Sequence, residues 1–117
     1  MGNPWAGLAA GVASHAAGDM IPHREAWHVL DTALTAVSLV AVALAFGWAS
    51  VQMAGAIGGA LPDAEHVLKK LGVRPWKRAM FPTHNRMLPH PHSSSYASQI
   101  ACGLVSAGLL ICQRALA

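Results

Sequence analysis

Apolar residues run along this chain in long blocks, broken by a short polar stretch at residues 19–27 and a long one at 62–94. Between Asp31 and Asp63 stand 31 residues without a single Asp, Glu, Lys or Arg. One continuous helix of that length would reach about 46 Å, well past the roughly 30 Å hydrocarbon core of a bilayer. A hairpin turning near Phe46-Gly47-Trp48 resolves the mismatch, with glycine free to turn and tryptophan suited to an interface. A second uncharged block runs from Met87 to Gln113 and is apolar from about Ala97 onward, and a third covers Met1 to Gly18. The pattern predicts apolar helices near residues 4–18, 28–47, 49–61 and 95–114.

Pro62 suits the first turn of a helix and Gly72 its C-terminal cap, so ALPDAEHVLKKLG adds a short amphipathic helix at about 62–71. The expected fold is all-α: one membrane-embedded domain over residues 1–117, an integral membrane bundle of about four apolar helices with a polar His/Asp-rich loop on one face. The two shorter helices would span only about 20 to 23 Å, which leaves half-crossing or re-entrant paths open. A soluble four-helix bundle is the weaker alternative, because helices without a charged face have no side to offer water. Gly7 with Gly11, Gly55 with Gly59 and Gly103 with Ala107 are each four apart, the spacing that lets helix backbones approach closely. In a chain this rich in Ala and Gly, such pairs also arise by chance. Cys102 and Cys112 fall ten positions apart on the last helix, about 15 Å, too far to bridge each other.

Composition sharpens this picture. Charged residues make up 11% of the chain and hydrophobic ones 54%, which counts against disorder and against a basic nucleic-acid-binding domain. The net charge is +3, and the seven histidines outnumber the five carboxylates. Imidazole in that proportion points to metal or proton chemistry. With four crossings the two polar stretches emerge on the same side, and together with the adjoining helix ends that carry His15, His28 and Asp31 they hold every histidine, every carboxylate and all basic residues except Arg114. By the positive-inside rule that face is cytoplasmic, so the expectation is a multi-pass membrane protein with its polar groups toward the cytoplasm.

Three clusters share that face. In SHAAGDMIPHREAWH, His15 and Asp19 are four apart on one helix face, and Pro22 ends the helix so that His23 can fold back toward them. In LPDAEH, Asp63 and His66 are three apart on one face, while Glu65 points elsewhere and suits a general base, a second ligand or simply a favourable charge at a helix N-terminus. In FPTHNRMLPHPHSSSY, His84 and Arg86 precede His90 and His92, which two prolines hold extended. That last segment reads equally as a metal pair or as a solvated loop. Imidazoles and carboxylates in such pairs are ordinary ligands for zinc or manganese. Between the clusters, VRPWKRAMFP interleaves Arg74, Lys77 and Arg78 with Trp76, Met80 and Phe81, a mixture suited to an anionic headgroup layer and so to membrane lipid rather than nucleic acid.

In order along the chain, His15, the block LPDAEH (Leu61 to His66), His84 with Arg86, and His92-Ser93 resemble the bacterial family of inner-membrane metal-dependent hydrolases, some of them regulated by LexA. The resemblance covers about residues 7 to 113. A fainter similarity, HAAGDMIPH from His15 to His23, is to zinc-dependent phospholipase C and its related nucleases. The departures are Glu65, where the block usually carries Asp, and the extra NRMLPHP between His84 and His92.

The resemblance implies a membrane-bound hydrolase with a divalent metal. On that footing the expected ligands are His15, Asp19, His23, Asp63, His66 and His84. Glu65 would accept a proton from water, Arg86 would steady developing negative charge, and the substrate would be a phosphoester or ester of a lipid-like molecule. The rival expectation is a non-catalytic small membrane protein that binds divalent metal or serves as an interaction module. A conducting path for metal would need ionisable residues in mid-helix, and residues 32–60 contain none.

Overall fold

The computed structural model describes residues 2–25, 28–73 and 75–117. Arg74, counted above among the basic residues, and the side chain of His28 lie outside what is described. Among the described residues five α-helices follow one another: α1 (Pro4–Asp19), α2 (His28–Phe46), α3 (Val51–Ala60), α4 (Ala64–Lys70) and α5 (Ala97–Leu116), with a 3-10 turn at Leu61–Asp63. Among the described residues the only β-type pairing is an isolated parallel bridge between His23 and His92.

The helix ends follow local chemistry. Asn3 caps α1 by accepting the Trp5 N–H at 3.0 Å, and Pro4 occupies the first turn, where its missing N–H costs nothing. Helix α2 stops where Gly47 adopts φ 89°, a conformation open mainly to glycine. The Ser50 hydroxyl then accepts the Met53 N–H at 3.0 Å and starts α3. The hairpin turn therefore falls where the sequence predicts it.

The number of crossings does not reach four. Among the described residues two helices are long and apolar enough to cross a membrane, α2 through Val29–Phe46 and α5 through Ala97–Leu116. Helix α1 has 16 residues and α3 has 10, hence about 24 Å and 15 Å, short of the hydrocarbon thickness. Lack of charge alone does not make a crossing, because the turns that end α1 and α3 leave them too short.

Helix α3 lies against both α1 and α2. On the α1 side the approach is backbone to backbone: a Cβ on Gly11 would fall on the Gly55 carbonyl oxygen, and one on Gly58 would fall on that of Leu8. The Gly7/Gly11 and Gly55/Gly59 pairs thus mark a real contact, whereas Gly103 and Gly108 on α5 have nothing within 4 Å of a Cβ. On the α2 side Val42, Ala43 and Met53 form a small core with Leu39, Phe46, Ala56 and Leu110. Helix α5 joins through Leu110 and a Gln52 to Gln113 side-chain hydrogen bond of 3.3 Å, and it buries no residue of its own. Outward faces of α2 and α5 present Val29, Leu34, Val37, Leu44, Leu104, Val105, Leu109 and Ile111. Cys102 and Cys112 are free and exposed on α5.

Candidate functional site

The ends of α1 and α3 fix the site, because the glycine contact locks the two backbones together and sets the final turn of α1 beside the 3-10 turn that follows α3. His15 sits on that final turn. Its Nδ1 lies 2.7 Å from the carbonyl oxygen of Gly59. A carbonyl only accepts, so Nδ1 carries a proton, and in the neutral form of the ring Nε2 presents the lone pair. That Nε2 is buried and has no hydrogen-bond partner among the described residues. It faces two carboxylates, Asp19 Oδ2 at 3.3 Å and Asp63 Oδ1 at 3.6 Å.

His84 enters the same point from the opposite side, on the irregular segment after α4. Phe81, whose carbonyl accepts the N–H groups of both His84 and Asn85 at 3.0 Å, closes the turn that holds it. Its side chain is 3% exposed, and its Nε2 lies 3.5 Å from Asp19 Oδ2 and 3.6 Å from Asp63 Oδ1. Its Nδ1 donates to Glu65 Oε1 at 2.8 Å. Both imidazoles therefore have one nitrogen fixed by an acceptor behind the ring and the other aimed inward, the arrangement by which outer partners orient metal-ligating histidines. The coordinating atoms of His15, Asp63 and His84 lie within 4.8 Å of one another. The buried Thr83 hydroxyl donates to Asp19 Oδ2 and holds that carboxylate in place.

Glu65 stands behind this group and does not face it. Its Oε2 accepts the Met80 N–H at 2.7 Å, and its Oε1 accepts both the Phe81 N–H at 3.3 Å and His84 Nδ1. Burial by itself would raise its carboxyl, but the hydrogen bonds from Met80, His84 and Phe81 outweigh this and hold it below the ordinary glutamate range. Asp63 behaves the other way. Desolvation raises its carboxyl above the usual value, and the opposing pull of His15 and His84 does not cancel that rise.

The remaining candidates are placed as follows. The His66 ring packs against His84 with centroids 4.2 Å apart, beside the converging atoms. His23 is brought back by the bridge to the 91–93 segment, where Ser93 N–H donates to His23 O at 2.7 Å. It forms a second group with Asp19 and His90. His92 pairs with Glu25 at 3.6 Å, but both side chains are more than 60% exposed, so screening leaves little energy in the contact. Arg86 is exposed at φ 67° on the outside of the turn, and the cavity at the site is lined by other basic residues, Arg24, Lys69 and Lys70. Sequence reasoning missed the Gly59 carbonyl and Thr83, because neither residue type advertises a role and both act across more than forty positions.

That cavity, about 830 Å³, opens from the histidines toward α2, with Thr35, Ala36 and Leu39 on one wall and Asp19, Asp63, His66 and His84 on the other. Compared with known proteins, the chain matches no family model, no curated protein and no solved structure.

Proposed function

We propose that the chain is a multi-pass inner-membrane, metal-dependent hydrolase whose site faces the cytoplasm and takes a phosphoester or ester of a lipid-like molecule. The observation that carries the metal is the buried, unpartnered Nε2 of His15, aimed with His84 Nε2 at Asp19 and Asp63. Two neutral imidazoles with two carboxylates are a donor set suited to zinc or manganese. When bound, the ion would supply Lewis acidity toward a phosphoryl or carbonyl oxygen and would acidify a water molecule.

Membrane insertion is supported by the unburied apolar faces of α2 and α5, since a soluble core helix would be covered and these are not. Substrate class is supported by the cavity, which joins the site to the apolar wall of α2 while Lys69 and Lys70 stand at its edge. An acyl or isoprenyl chain fits against Ala36 and Leu39, and the lysines attract the anionic head. In this reading Glu65 positions His84 instead of accepting a proton, because N–H donors already occupy both its oxygens. Lys69 and Lys70 take the anion-binding role that the sequence suggests for Arg86.

Assaying the full chain in mild detergent with added zinc or manganese tests the proposal. Hydrolysis of long-chain phosphoesters is expected to exceed that of water-soluble nucleotides, and a chelator or His15→Ala should abolish it. Stoichiometric metal with no turnover of any ester or phosphoester would remove the hydrolase reading. Glu65→Gln is expected to weaken metal binding about 10- to 100-fold with the helical content unchanged, measured by competition with a chromogenic chelator.

A further inference from the structure

We infer that the site is built for two divalent ions, with Asp19 shared between them. The second position is formed by Asp19, His23 and His90, whose coordinating atoms lie within 4.8 Å of one another. It is distinct from the His15–Asp63–His84 group, and Asp19 stands between the two: its Oδ2 lies 3.3 Å from His15 Nε2 and 3.5 Å from His84 Nε2. The inference rests on the reading of the first group as a metal site, because the carboxylate between them would serve both.

His23 is prepared in the same way as His15 and His84. Its Nδ1 lies 2.8 Å from the Ile21 carbonyl oxygen, which can only accept, so the proton sits on Nδ1 and Nε2 keeps its lone pair. Facing it at 3.1 Å is Nε2 of His90. Two ring nitrogens that close either share one proton or converge on one cation. A shared proton would engage this pair alone. A cation uses all three groups. Backbone structure delivers the pair: the Ser93 N–H to His23 O bond of 2.7 Å ties the two polar segments together, and Pro89 and Pro91 hold His90 extended between them. The stretch NRMLPHP, extra relative to the resembled family, is the segment that supplies His90. Both histidines line the same cavity as Asp63 and His84, so a phosphoryl group there would meet both positions. Paired ions a few ångströms apart are a recurrent way to hold such a group.

The test counts ions and looks for their coupling. The detergent-purified full chain is stripped with chelator, reloaded with manganese and freed of excess. Metal per chain is measured by mass spectrometry, and the low-temperature electron paramagnetic resonance spectrum is recorded. Two manganese per chain with an exchange-coupled multiline signal are expected, falling to one with an isolated six-line signal in His90→Ala and in His23→Ala. One ion per chain in the unaltered protein, unchanged in both variants, would overturn the second position and leave the first intact. No bound ion in any of them would overturn the first site as well. The spectrum of the unaltered protein decides the question even if a variant misfolds.

Discussion

Gly11→Ala is expected to lose both the native fold and the metal, whereas Gly103→Ala should leave both intact. The added methyl at position 11 falls on the Gly55 carbonyl oxygen and close to the Gly59 amide nitrogen. These are backbone atoms, with no flexible end to swing aside, so α1 and α3 must move apart. Overpacking of this kind costs about 1–3 kcal/mol or more, a large share of a total stability on the order of 5–15 kcal/mol. Function suffers further, because α1 carries His15 while α3 carries its Gly59 partner and leads into the 3-10 turn that holds Asp63. At Gly103 nothing lies within 4 Å of the added atom, and alanine is the better helix former by about 1 kcal/mol. Thermal unfolding in detergent with metal content measured alongside separates the two cases. Equal behaviour of the variants would show that the glycine contact does not hold the site.

How far such a site can be read from sequence depends on whether its partners are local. His15 and Asp19 were legible as a pair because four residues on a helix is a fixed geometry, and the structure places their atoms 3.3 Å apart. The turn at Gly47 was legible for the same reason: short-range chemistry determines it. Glu65 shows the limit. Helical spacing said only that it points away from Asp63 and His66, which it does, but what it points toward is the 80–84 segment, joined by hydrogen bonds that no periodicity encodes. Arg86, two residues after His84, shares the sequence neighbourhood and stands exposed on a turn of positive φ, which helical or extended spacing does not anticipate. The count of crossings failed for a different reason, since hydropathy reports that a segment suits apolar surroundings without saying whether these are lipid or protein. Helices α1 and α3 meet each other through Gly7, Leu8 and Gly11 on one side and Gly55, Gly58 and Gly59 on the other.

Asp63→Asn should abolish the first metal site while leaving the metal-free protein as stable as before, or more so. The expectation follows from the raised carboxyl of Asp63, which burial pushes above its ordinary 3.8 despite His15 and His84. A carboxyl whose value rises on folding binds its proton more tightly in the native state, so its ionised form opposes folding. That penalty is absent below the unfolded value, grows as pH rises through the folded value and is complete at neutrality. An amide carries no such penalty, and the variant should match the unaltered metal-free chain near pH 3 and equal or exceed it at pH 7. Metal reverses the order. Binding to the native state adds about 2.7 kcal/mol at a hundredfold excess over Kd, and the ionised Asp63 Oδ1, 3.6 Å from both imidazole nitrogens, is then an asset. Thermal unfolding at pH 7 with and without zinc checks this directly: the unaltered chain gains strongly from zinc, and the variant loses the part of that gain contributed by the first site. A variant that is less stable than the parent without metal would mean that Asp63 is there to hold the fold, with His15 and His84 as its ion-pair partners and not its fellow ligands.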